Sequence, residues 1–317
     1  MLTSFFGKSS PVNFLILGIF IFVSLFIDFL SIILLDFSLS LLVQAVFLVL
    51  LIIFSMLLLD FIIRKNALTK LNTFAVLFYS CFIAMLPIVF RHPEIIAANV
   101  FLLLALRRIL SLQSNKNSER KILDASIWIT IASLFYFGSL LFLIPLWIAI
   151  FQKPNATYKQ MLIPFTGIFA VLIIYTSFQL LVNDSFEWFY NWKQAINLDF
   201  SDYNYGVVLV PVAVILVFIL WTGVYRILKL ASLTLKEKPN YMLLVYVIVT
   251  ALFMAFLGPV KTGAELLLVF GPLSIISANY IEVAPTNRKG KKDYGEFWFK
   301  EILLWLVVLL PVVLWFI

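Results

Sequence analysis

Asp28 lies inside an apolar run, Val12 to Leu35, about two helical turns from the run's far end. An ionisable group in such a run is expensive, must face protein or water, and needs a partner. Its possible roles are a proton-coupled carboxylate, a general base, or one half of an interhelical ion pair. Arg91 and Lys261 are the cations nearest to it in depth. Asp36, the sole acid in the connection between the first two apolar runs, is the second catalytic candidate.

At 90–94 the sequence reads FRHPE. Pro93 suits the first turn of a following helix and Glu94 the positive end of its dipole. Arg91 and His92 are then left as groups able to contact phosphate oxygens, and Lys261 joins them as a ligand or phosphate-binding candidate. Arg107 and Arg108, further along the same helix, are expected to snorkel to lipid headgroups. Asp60 with Arg64, and Lys261 with Glu265, have the four-residue spacing of an intrahelical ion pair.

The stretch NDSFEWFYNWKQAINLDFSDYNY between Val182 and Gly206 gathers rings beside acids. One reading is an interfacial helix lying in the headgroup belt. The other is a substrate platform in which Trp188, Tyr190 and Trp192 stack and Glu187 accepts, a mixture that suits sugars or cationic groups. No phosphate-cradling lysine loop, nucleophile elbow or dinucleotide turn occurs. With one His and one Cys the sequence predicts no metal site and no cofactor.

The elements that must carry these residues follow from composition. Hydrophobic residues make up 63% of the 317 and charged ones 12%, against about 45–50% and about 25% in soluble domains. Each crossing of a bilayer core needs about 20 apolar residues, and continuous runs mean helices rather than strands. The net charge of +7 resides in short loops between apolar runs, the pattern of cytoplasmic loops and not of a nucleic-acid binder. Cys81 falls within an apolar helix and reads as a small buried side chain. The first run is too long for a signal-peptide core and is expected to be a true first helix.

The run from Ile122 to Phe151 is long for one crossing and short for two. If it crosses twice, with the N-terminus inside, 20 of the 23 Lys and Arg lie inside and only Arg91, Lys193 and Lys261 outside; if once, the split is 11 against 12. The positive-inside rule favours the first arrangement. Gly138-Ser139 then offers a turn and Pro145 a kink in the returning leg. The expected architecture is an all-α polytopic transmembrane bundle of about 11 segments, with a short broken hairpin at 122–152, N-terminus in and C-terminus out. It forms a single integral membrane domain over 1–317, with an external amphipathic loop at 183–206 and a cytoplasmic basic loop at 282–300.

The segments RHPEIIAANVFLLLALRRIL and ILDASIWITIASLFYFGSLLFLIPLWIAIFQK resemble an uncharacterised family of polytopic inner-membrane proteins of Bacteroidota. Over about 90–155 the helix organisation is also similar to that of polyprenyl-phosphate-dependent GT-C glycosyltransferases, although only Asp36 to Leu39 stand where that class carries a long first external loop. The resemblance implies a multi-pass protein of the bacterial inner membrane. Its implied partners are membrane lipids and a polyprenyl-phosphate-linked substrate.

Three functional readings follow. The first is an envelope-biogenesis protein handling a lipid-linked or amphiphilic substrate in an outward-facing cavity, walled by the hairpin and covered by the 183–206 loop. In its enzyme form, Asp28 or Asp36 is the base and Arg91 with His92 holds phosphate. The second is a non-catalytic subunit that docks a membrane protein partner. The third is a secondary transporter with Asp28 as its proton-coupled carboxylate.

Overall fold

The computed structural model describes residues 1–35, 38–114, 116–153, 156–230, 238–259, 261–283 and 293–316. Its α-helices are α1 (Leu2–Phe6), α2 (Pro11–Leu35), α3 (Leu39–Lys65), α4 (Phe74–Met85), α5 (Pro93–Leu110), α6 (Ser118–Phe135), α7 (Leu143–Phe151), α8 (Tyr158–Asn183), α9 (Glu187–Trp192), α10 (Gly206–Lys229), α11 (Lys238–Leu257), α12 (Leu267–Ile281) and α13 (Tyr294–Leu314). No strand occurs among the described residues. Side-chain caps fix several starts: Ser38 accepts from Leu41 N–H, Thr157 from Gln160 N–H, and Asp293 from the N–H groups of Gly295 and Glu296. Among the described residues, eight helices are long and apolar enough to cross a membrane: α2, α3, α5, α8, α10, α11, Ala264–Ile281 and α13.

The chain divides into two compact units. The first comprises Met1–Arg91, Ser201–Ala231 and Phe270–Ile317. Its centre is α4, in which every side chain is buried, as expected of a helix that is apolar all round. It packs against α2, α3, α10 and α13. Phe78 and Phe82 meet Phe218 of α10 at 5.5 and 5.7 Å, and Phe82 meets Phe270 at 5.7 Å. The helix stops at Leu86 because the ring of Pro87 forces the preceding residue out of helical geometry. The apolar stretch at 71–90 is therefore α4 followed by a 3-10 turn, Pro87–Arg91. Elsewhere in this unit the Arg226 guanidinium, 1% exposed, donates to Asn279 Oδ1 at 2.6 Å, and Asn279 in turn donates to Leu68 O and Glu282 Oε1.

The second unit comprises His92–Phe200 and Ser232–Val269. Here the 122–152 run breaks at Tyr136, whose backbone is extended (φ −142°, ψ 102°), then continues as a 3-10 turn, Phe137–Phe142, and α7. Besides α5, α6 and α8, α7 touches the 3-10 turn Ser111–Gln113 that precedes α6. The 18 residues of α6 cover about 27 Å. A chain continuing in line would carry α7 away from that earlier turn, so the run doubles back.

One detail differs from the sequence expectation. The break lies at Tyr136 and not at Gly138-Ser139: Gly138 sits inside the 3-10 turn without a positive φ, and its missing side chain instead makes room for the Tyr136 ring, 2.9 Å from where a Cβ would stand. Pro145 is the third residue of α7, just past the point where the 3-10 turn Phe137–Phe142 gives way to α-helix within the returning leg.

Candidate functional site

A cleft in the second unit grows from the end of α8. Tyr175, Gln179 and Asn183 are spaced at i, i+4 and i+8 and share one face of an otherwise apolar helix. They form a ladder in which Asn183 Nδ2 donates to Gln179 Oε1 and Gln179 Nε2 donates to the Tyr175 hydroxyl at 2.8 Å. Asp184 then ends the helix in the left-handed region (φ 48°), which its short polar side chain tolerates.

The chain folds back as α9. Trp192 donates its indole N–H to Ser133 O in the last turn of α6 at 2.8 Å and sets its ring edge-on to Phe137 at 5.2 Å. Trp188 packs edge-on against Tyr175 at 4.9 Å. Between the α8 ladder, Leu134 of α6, and Ser185, Glu187, Trp188, Asn191 and Trp192 lies a cleft of about 630 Å³, within the size range of small-ligand sites. Aromatic rings and amides line it, and Glu187 is the one residue with a formal charge among the described residues of its wall.

The segment after α9 is stitched down at several points. Gln194 Oε1 accepts from Phe137 N–H at 3.1 Å, Asn197 N–H donates to Gly258 O, and Phe200 stacks on Phe256 at 5.9 Å. The end of α11, where helix carbonyls lack intrahelical donors, is covered in the same way. Tyr136 Oη donates to Met254 O at 2.9 Å, while Lys261 Nζ donates to Ala255 O and Phe256 O at 2.6 and 2.7 Å and lies over the Phe200 ring. Burial pulls the Lys261 ammonium below its ordinary pKa, partly offset by Glu265.

The residues singled out in the sequence are distributed as follows. Glu187, Trp188 and Trp192 line the cleft, whereas Tyr190 is 79% exposed and outside its wall. Asp28 is bound by Arg91 within the first unit, Nη2 to Oδ1 at 2.8 Å. His92 bridges Glu94 (Nδ1 to Oε1, 2.9 Å) and Thr262 (Nε2 to Oγ1, 3.2 Å) within the second. Pro93 and Glu94 occupy the first turn of α5. Lys261 is not paired along a helix with Glu265: it precedes the 3-10 turn Ala264–Leu266, and Gly263 between them takes a positive φ of 94°. Asp60 and Arg64 do form the expected pair, at 2.6 Å. Arg108 reaches Asp124 of α6 at 2.8 Å, and Arg107 lies half-buried beside it on α5. Asp36, and residues 284–292 of the basic loop expected at 282–300, lie outside the described residues.

Tyr175 and Gln179 lie outside every feature singled out in the sequence, and Asn183 and Asn191 enter it only as part of the 183–206 loop. The signal that finds the first three is their four-residue spacing in a membrane-length apolar helix, where polar side chains are tolerated chiefly when they face protein or a cavity.

The apolar helices define a multi-pass helical membrane protein. The chain belongs to the family of unknown function DUF6427, which it matches over residues 9–317. No curated protein and no solved structure matches it.

Proposed function

We propose that the cleft captures the polar headgroup of an amphiphile that reaches it from the bilayer, and that the protein acts in envelope biogenesis from the inner membrane. The observation that carries this reading is the contrast between two faces of α8. Tyr175, Gln179 and Asn183 line the cleft, while Phe169, Ile173, Phe178 and Leu181 of the same helix are exposed. A molecule with a polar head and an apolar tail matches both surfaces at once. The transporter reading rests on Asp28, whose carboxylate Arg91 already engages; the cleft's amides and rings line open volume.

The proposed topology has eleven membrane segments. Eight are the long apolar helices, and the others are α4 with its 3-10 turn, α6, and the returning leg Phe137–Phe151. The N-terminus is inside, the C-terminus outside, and the distribution of Lys and Arg supports this orientation. The cleft and the 183–206 loop are then external.

The test is mass spectrometry of lipids that copurify with the protein. Wild type is expected to retain a defined amphiphile that the double variant Gln179→Leu/Asn183→Leu loses. Identical lipid profiles for the two would refute headgroup capture.

A further inference from the structure

Resting on headgroup capture, we infer that the cleft takes a glycosyl headgroup without negative charge and not a phosphate. Four observations converge. First, the one formally charged side chain in the described wall is the carboxylate of Glu187. Two negative charges about 4 Å apart repel by about 1 kcal/mol in water and about 4 kcal/mol near a protein surface, so a phosphate placed here meets opposition and no cation among the wall residues.

Second, phosphate recognition relies on guanidinium, ammonium or clustered N–H donors. Of the cations of this unit singled out in the sequence, Lys261 sits on the carbonyls of Ala255 and Phe256, His92 between Glu94 and Thr262, and Arg108 against Asp124.

Third, the lining suits hydroxyl groups, which donate and accept. The ladder uses one N–H of Asn183 and one of Gln179, leaving each amide a second N–H, while Asn183 also keeps a carbonyl oxygen. Asn191 adds a further amide.

Fourth, two indole rings, Trp188 and Trp192, line the cleft. Trp192, with its own N–H held by Ser133 O, presents a fixed aromatic wall to the apolar C–H face of a sugar ring.

The experiment compares two lipids with the same tails, glucosyl-dioleoylglycerol and dioleoyl-phosphatidylglycerol, titrated against the purified full chain in a sugar-free polyoxyethylene detergent and read by native mass spectrometry. Wild type is expected to bind the glucosyl lipid at least about tenfold more tightly, a difference of ~1.4 kcal/mol. Gln179→Leu, and separately Asn191→Leu on the short surface helix, are each expected to narrow that gap.

Equal or tighter binding of phosphatidylglycerol by wild type, weakened by Gln179→Leu, would overturn the glycosyl assignment and leave headgroup capture standing. Binding of both lipids that neither variant alters would overturn headgroup capture itself, and the assignment with it.

Discussion

Arg91 grips Asp28 with both arms of its guanidinium, Nη2 2.8 Å from Oδ1 and Nε 3.2 Å from Oδ2. The carboxylate is 8% exposed and the guanidinium 48%, so the pair is neither a solvated surface contact nor a fully buried one. This is the geometry of a tie between α2 and the turn ahead of α5.

Asp28→Asn is therefore expected to destabilise the protein by about 1.5–3 kcal/mol, the range for hydrogen bonds to a charged group. Arg91→Lys is expected to lose less, because an ammonium keeps the charge but not the fork. Denaturant unfolding of the purified variants measures both. Unchanged stability in Asp28→Asn, with loss of function in cells, would instead assign Asp28 a chemical role.

Tyr136 and Gly258 are fitted to each other: a Cβ on Gly258 would collide with the Tyr136 hydroxyl, which donates to Met254 O. Gly258→Ala should cost about 1–3 kcal/mol, as overpacking typically does. Adding Tyr136→Phe removes the colliding oxygen, so the double variant is expected to lose less than the sum of the singles. Strict additivity in the same unfolding assay would contradict the fit.

Gly167 lets α8 approach α6 closely, since a Cβ there would overlap the Ser126 side chain. Small residues at such crossings set how near two membrane helices come. Gly167→Leu is expected to separate α8 from α6, lower stability, and abolish lipid retention in the cleft, to whose wall both helices contribute. A Gly167→Leu protein with wild-type stability and an unchanged lipid complement would argue against the close packing.

Reporter fusions after Lys159 and after Lys238 test the proposed membrane orientation. Both are expected to report cytoplasmic. An external result at both would mean that 122–152 crosses once, reversing every later segment.

How much of this was legible in the sequence depends on whether the cause was local. The imbalance of Lys and Arg points to a reversal within 122–152, and the chain does turn back there. The position of the break was not legible, because what marks Tyr136 is its hydrogen bond to Met254, 118 residues away, and the space left by Gly258. Two cations qualified as partners for Asp28, and only the folded chain separates them: Arg91 takes the carboxylate, while Lys261 caps the end of α11. The spacing of Lys261 and Glu265 suggests a helical pair, but Gly263 breaks the backbone between them.

The cleft follows the same pattern. Glu187, Trp188 and Trp192 stand out by composition, and three of the polar groups facing them by their spacing along α8. What joins the two sets is the bond from Trp192 to Ser133 O, across 59 residues of sequence, which no local pattern encodes. Tyr190 belongs to the same aromatic cluster yet is exposed, because on so short a helix only part of the circumference can face one wall.

The most direct test of headgroup capture is a structure of the protein extracted with its native lipids into nanodiscs. The expected result is a headgroup between the Tyr175–Gln179–Asn183 ladder and the rings of Trp188 and Trp192, with its tail along the exposed face of α8. A cleft holding only water, or closed by collapse of α9 onto α8 in lipid, would contradict it.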